Sequence, residues 1–315
     1  MSRMRRASLA VLIAAGLLLP SACNRGAGSG KPRIAMVLKT LNNPFFVDMQ
    51  RGAEDAAKRL NVDLTVQAAE RETDVEKQMQ IIENLVETGV NALAIAPSGS
   101  KEVVTAVAKA NAANIPVTIV DDKVDAEAAK DAGVHWEAYV GSDNVEGGRI
   151  AGRYLAQLTK GNANVALLEG IPGHQTGDAR LKGFKEAIQA SPGIRIVASQ
   201  TANWERDQGF NVFQNMMQAH PDIDAVFACN DMMALGAVEA IRAAGKTGQI
   251  HVIGFDAIDD ARKAIAAGTM DGSVAQFPSE MGRIAVENAV KLIHHEPVPA
   301  ETATKLEMIT KTNVR

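Results

Sequence analysis

From Arg33 onward, short apolar runs alternate with amphipathic helical stretches, and that alternation leaves few folds open. Runs at 34–38, 64–66, 92–96 and 117–120 have the length of buried strands. Between 47 and 60, Met49, Ala53, Ala56 and Leu60 recur on one helical face. Between 74 and 88, Val75, Met79, Ile82 and Val86 do the same, and Gly89 suits the helix stop. A further helix is expected over 101–113. This βαβα order predicts a mostly parallel sheet with helices on both faces. After Tyr139-Val140-Gly141-Ser142-Asp143-Asn144 the pattern restarts. Helices are expected over 147–158, 179–190, 207–219 and 233–244, with strands at 165–168, 196–199, 225–229 and 251–254. The fold class is therefore α/β, two similar doubly wound parallel-sheet domains in series. A helix over 259–267, a strand over 273–276 and a helix over 281–294 complete the chain. Sending the chain back to the first unit after Gln276 gives several crossings near Ser142-Asp143, Gln276-Phe277 and Ala303-Thr304. Multiple parallel crossings make a hinge. The expected lobes are 32–142 plus 277–303, and 143–276 plus 304–315.

The first residues stand outside this pattern. Arg3, Arg5 and Arg6 precede an apolar stretch at 9–19 that is short for a membrane span. Pro20-Ser21-Ala22-Cys23 follows. Small residues before a cysteine resemble a bacterial lipoprotein signal, which implies lipidation at Cys23 and a signal over 1–23. Leu19 sits one place further from the cysteine than is usual, and an ordinary signal peptide cut near Ala22 is the alternative. Residues 24–31, rich in Gly and Ser, read as a flexible tether. The expected location is the periplasm or the outer face of the cell membrane, with Cys23 as the anchor. Cys229 is the one other cysteine, so no internal disulfide is expected, and its apolar strand makes it a small core residue. A formal charge of −4 with acids and bases interspersed argues against a nucleic-acid surface.

Functional residues are sought at strand ends, because open α/β sheets bind ligands beyond the carboxyl ends of their strands. Lys39-Thr40-Leu41-Asn42-Asn43-Pro44-Phe45-Phe46 occupies the first such end. It combines a cation, two carboxamides and two rings. Rings cover the C–H face of a flat hydroxylated ligand and amides bond its hydroxyls. Taken alone, Phe45 and Phe46 serve equally well as a staple between helix and sheet. Asp121, Asp122, Trp204, Asn230, Asp256 and Gln276 recur at later strand ends, and Arg180 heads a helix of the second unit. Asp121 or Asp256 could instead cap a helix, Asp122 could be solvated, and Trp204 could be core. Their recurrence at so many strand ends favours one shared cleft.

The chain from 32 to 312 resembles the ribose-type, class I periplasmic sugar-binding proteins (periplasmic binding protein-like I). The matching runs are Leu41-Asn42-Asn43-Pro44-Phe45-Phe46, Ala113-Asn114-Ile115-Pro116-Val117, Ser142-Asp143-Asn144, Phe227-Ala228-Cys229-Asn230-Asp231 and Val252-Ile253-Gly254-Phe255-Asp256. The resemblance implies a solute receptor for an ABC importer, and no catalysis. It implies ligand contacts at Asn43, Phe45, Phe46, Asp121, Arg180, Trp204, Asn230, Asp256 and Gln276. Ribose binders carry Ser at the position of Lys39 and Asp-Arg at that of Asp121-Asp122. Lys39 with Asp121-Asp122-Lys123 is closer to allose-binding proteins, as are Val47-Asp48-Met49 and Ala202-Asn203-Trp204. Lys39 and Asp122 thereby join the expected ligand set, and an allose-like hexose is the expected ligand class. Ala96 lacks the amide of ribose binders at that place, which leaves room there for a bulkier ligand.

No Walker A motif, G-x-S-x-G elbow or metal signature is present in the sequence, so no cofactor is expected. His294-His295 read as a solvated helix end. The expected partners are a sugar or polyol and an ABC permease, with no nucleic acid, and with the membrane reached only through the lipid anchor. The chain is expected to act as a monomer. Two other functions fit the same residues: a secreted sugar-modifying enzyme, and a sugar receptor serving chemotaxis or signalling. A repressor of this core fold would need a helix-turn-helix where the export leader lies.

Overall fold

A computed structural model describes residues 30–314 of the chain. The expected signal, the lipidation site Cys23 and most of the expected tether lie outside the described residues.

Five parallel strands form the body of the first sheet: β1 (Arg33–Thr40), β2 (Asp63–Ala69), β3 (Ala92–Ile95), β4 (Val117–Val120) and β5 (Ala138–Ser142). Their burial explains the unbroken apolar runs, since a parallel strand covered on both faces has no polar side. Only β2, at the sheet edge, alternates exposed and half-buried residues. The intervening helices are α1 (Pro44–Leu60), α2 (Val75–Glu87), α3 (Val103–Ala112) and a short α4 (Ala126–Asp131) that the periodicity did not reveal. Asn43 caps α1 by accepting from Phe45 N–H at 3.1 Å, and Pro44 takes the first turn.

The second sheet repeats the plan with β6 (Asn162–Glu169), β7 (Gly193–Thr201), β8 (Ala225–Ala228), β9 (His251–Asp256) and β10 (Gly272–Ala275). Its helices are α5 (Asn144–Leu158), α6 (Gln175–Ile188), α7 (Arg206–Ala219), α8 (Asp231–Ala243) and α9 (Asp259–Ala267). The helix α10 (Pro278–Ile293) then packs back on α1 and on β3, β4 and β5. Two short strands that sequence periodicity missed follow, β11 (Glu301–Thr304) and β12 (Glu307–Thr310). Strand orders are β11-β5-β4-β3-β1-β2 and β12-β10-β9-β8-β6-β7, and among these pairings only β10–β12 is antiparallel.

The chain passes between the sheets at 142–144, 275–278 and 304–307. Ser142 Oγ and Thr304 Oγ1 lie 3.1 Å apart, which ties two of these passages together. Helices α5 and α6 approach closely because a Cβ on Gly183 would sit 1.8 Å from the carbonyl oxygen of Val145. That contact seats α6, which carries Arg180, against α5.

Candidate ligand-binding site

The carboxyl ends of the two sheets meet in a small polar cleft. Lys39, Asn43, Phe45, Phe46 and Asp121 line it from the first sheet, and Arg180, Trp204, Asn230, Asp256 and Gln276 from the second. Ten of the eleven ligand residues expected from sequence thus come together, all of them buried. Two further residues, Glu72 and Thr176, line the same cavity.

The aromatic residues frame the space. Phe45 and Phe46 meet edge to face with centroids 5.2 Å apart. Trp204 projects from a residue with φ of +67° and lies against Gly170, where a Cβ would be 2.0 Å from the indole. Its Nε1–H donates to His174 Nδ1 at 3.2 Å. Asp121 (φ +66°) and Asp256 (φ +110°) also occupy conformations uncommon for side-chain-bearing residues. Three of the cavity's side chains are therefore aimed inward by a backbone that leaves the extended path as its strand ends.

Charge is arranged in two groups. Lys39 Nζ stands 3.4 Å from Asp121 Oδ2 and 3.4 Å from Asp122 Oδ2. It reaches them across the end of β3, which stops at Ile95, paired with Val37, two residues short of Lys39 on β1. Burial opposes the ammonium charge, yet Asp122, Asp121 and Glu72 together hold Lys39 above the ordinary lysine range. Burial raises Asp121 despite the attraction of Lys39. It pushes Glu72 up to about 7, against Lys39 and a hydrogen bond from Asn43 Nδ2 at 3.0 Å. In the second group, Arg180 donates to Asn144 Oδ1 at 2.8 Å and to the Cys229 carbonyl at 2.7 Å, with its guanidinium 3.9 Å from the Phe255 centroid. Asp256 lies 3.7 Å from Arg180 and accepts from Gln276 Nε2 at 2.6 Å. Burial raises Asp256 well above the usual carboxylate range, against the pull of Arg180.

Two expectations change. Asp122, expected at the ligand from sequence, does not line this cavity. It is fully buried and accepts from the backbone N–H of Thr176, at the start of α6, at 3.2 Å. A carboxylate at a helix N-terminus is favourable, so Asp122 spans the cleft between the first sheet and α6. The expected space beside Ala96 is not part of the cavity. The amide of Gln78 occupies that region, donating to the carbonyls of Leu38 and Ala96 and accepting from Ser98 N–H.

His174 also bridges the cleft. Its ring Nδ1 accepts from Trp204 Nε1–H and approaches Asp122. Burial and Lys39 lower it to about 3, so the ring is neutral, and its 3.6 Å approach to Asp122 is not an ion pair. Neither Glu72 nor His174 had a sequence signal beyond being polar residues in loops.

Two doubly wound sheets, three passages between them and a cleft lined by polar and aromatic side chains at their carboxyl ends define a two-lobed solute-binding protein. The chain belongs to the periplasmic binding protein domain family, whose pattern matches residues 34–297. It is 39% identical over 308 residues to the ribose import binding protein of Escherichia coli (strain K12), covering 98% of this chain and 100% of that protein. It is 41% identical over 249 residues to the D-allose-binding periplasmic protein of the same organism, covering 79% and 80%. The crystal structure of an ABC transporter periplasmic solute-binding protein from Actinobacillus succinogenes 130z with bound D-allose superposes with a TM-score of 0.85. It is 39% identical and the match covers 90% of this chain and 99% of that one. These relatives are solute-binding receptors.

Proposed function

We propose that this protein is an extracytoplasmic receptor that closes over one monosaccharide or polyol and delivers it to the permease of an ABC importer. The cavity carries the reading: rings and paired charges from both sheets converge on one cleft. The ribose and allose named for the relatives support a sugar as the ligand. Within that class we favour a hexose of the allose kind, or a related hexitol or ketohexose, over ribose. The Lys39 ammonium donates to ligand oxygens while Asp121 accepts from neighbouring hydroxyls. The carboxyl groups of Asp121 and Asp256 are engaged with Lys39, Arg180 and Gln276, which holds them in place to meet ligand hydroxyls.

On this reading, residues 32–142 with 277–303 form one lobe and 143–276 with 304–315 the other. They close about the three passages, and ligand shifts the population toward the closed form. Cys23 carries the lipid anchor and the receptor acts as a monomer outside the cytoplasm.

A thermal-shift screen against pentoses, hexoses, deoxysugars and polyols tests this directly, since a specific binder raises the melting point as its concentration exceeds Kd. The bound sugar should be recovered chemically unchanged, and small-angle scattering should show a smaller radius in its presence. No stabilisation by any of these compounds, or recovery of an altered sugar, would overturn the receptor reading.

A further inference from the structure

Resting on that receptor reading, we propose that Glu72 is a specificity-determining residue that accepts a hydrogen bond from one ligand hydroxyl and so selects against the sugar lacking it. Glu72 is buried, lines the cavity, and sits in the loop between β2 and α2. That loop is held to the loop after β1 at three points. Thr40 Oγ1 and Asn42 Nδ2 each donate to the Glu70 carbonyl at 2.7 Å, and Asn43 Nδ2 donates to Glu72 Oε1 at 3.0 Å. The carboxylate is thus fixed in position, with one oxygen occupied. Among the described residues, no hydrogen bond from the protein reaches its other oxygen.

Two features make that oxygen a reader of the ligand. A buried carboxylate is costly unless donors surround it. The nearest cation is already engaged, because Lys39 is shared between Asp121 and Asp122 at 3.4 Å each and makes no ion pair with Glu72 within 4.0 Å. The donors therefore come from the ligand. Meanwhile Asn43, whose Oδ1 accepts from Phe45 N–H and whose Nδ2 holds Glu72, is largely spent as a positioning residue. Above its pKa of about 7 Glu72 is ionised and only accepts, so at alkaline pH the ligand position facing it must carry a donor, and a deoxy position there leaves the oxygen unpaired in a closed cleft.

The test begins with the full chain and a panel of D-allose, D-ribose, D-fucose, D-arabinose and D-tagatose. The tightest binder and its monodeoxy analogues are titrated calorimetrically into the parent, Glu72→Ala and Glu72→Gln. Glu72→Ala should weaken the parent sugar by about 10- to 100-fold, the range for a hydrogen bond to a charged group. One monodeoxy analogue should lose as much with the parent and lose nothing further with Glu72→Ala. If Glu72→Ala melts before it can be titrated, Glu72→Gln carries the test. It keeps an acceptor for Asn43 and should flatten the discrimination against that same analogue. Binding within twofold of the parent, or equal added losses for every deoxy analogue, would overturn the role of Glu72 and leave the receptor reading intact. No binding of any panel sugar by the parent would overturn both.

Discussion

Lys39→Met removes a charge while keeping most of the apolar stem, and its consequences can be worked from the geometry. In the parent, Nζ is 3.4 Å from one oxygen of Asp121 and 3.4 Å from one of Asp122, all three groups being buried. At an effective dielectric of ~20 each contact corresponds to about 5 kcal/mol of attraction. Desolvation of the three charges consumes much of that, and truncating one member of a buried pair costs about 3–5 kcal/mol in practice. On the proposed hinge motion, water reaches the carboxylates when the lobes part and replaces the lost ammonium, so most of the cost falls on the closed form. Sugar affinity should therefore drop by about 2–4 kcal/mol, roughly 30- to 1,000-fold in Kd. The pH dependence has a defined sign. Burial already raises Asp121 and brings Glu72 to about 7, and removing Lys39 pushes both higher. A raised carboxyl is neutral and tolerated below its folded pKa, and burdens the closed form as pH rises through it. The deficit of Lys39→Met should thus be largest near pH 8 and shrink toward pH 5. Calorimetric titration of parent and variant with D-allose at both pH values reads it out. A deficit under ~1 kcal/mol at pH 8, or one that does not shrink on acidification, would refute the reasoning.

Three further outcomes are expected. Trp204→Ala should weaken sugar binding by ~1–3 kcal/mol through lost apolar contact, and the parent's Trp fluorescence should respond to ligand; unchanged affinity would make Trp204 a core residue only. Gly183→Ala should lower stability by about 1–3 kcal/mol in urea unfolding, because its Cβ would collide with the Val145 carbonyl at 1.8 Å and displace α6 with Arg180; an unchanged midpoint would show that the α5–α6 contact yields freely. Cys23→Ser should move the protein from the membrane fraction to the soluble one without changing sugar affinity, and equal membrane recovery of both forms would count against the anchor.

The alternation of apolar strands and amphipathic helices was enough to specify two doubly wound α/β units, because burial on both faces leaves a parallel strand no polar position and its period is visible in one dimension. Asn43, Trp204, Asn230 and Asp256 were legible as cleft-lining residues for a related reason: the loop after a strand is where such sheets present ligands. Short elements were not legible. In β11, Glu301–Thr304, pairing with β5 supplies what a four-residue segment of little hydrophobicity cannot declare by itself. The site's inner organisation belonged wholly to the tertiary structure. Lys39 meets Asp121 and Asp122 only because β3 stops short between their strands. Asp122 spans the cleft because α6 brings the Thr176 N–H within 3.2 Å of its carboxylate. Glu72 enters the cavity because three hydrogen bonds fold its loop against the end of β1. Each depends on groups 28 to 83 residues apart in sequence, distances over which neither spacing nor composition carries information about contact.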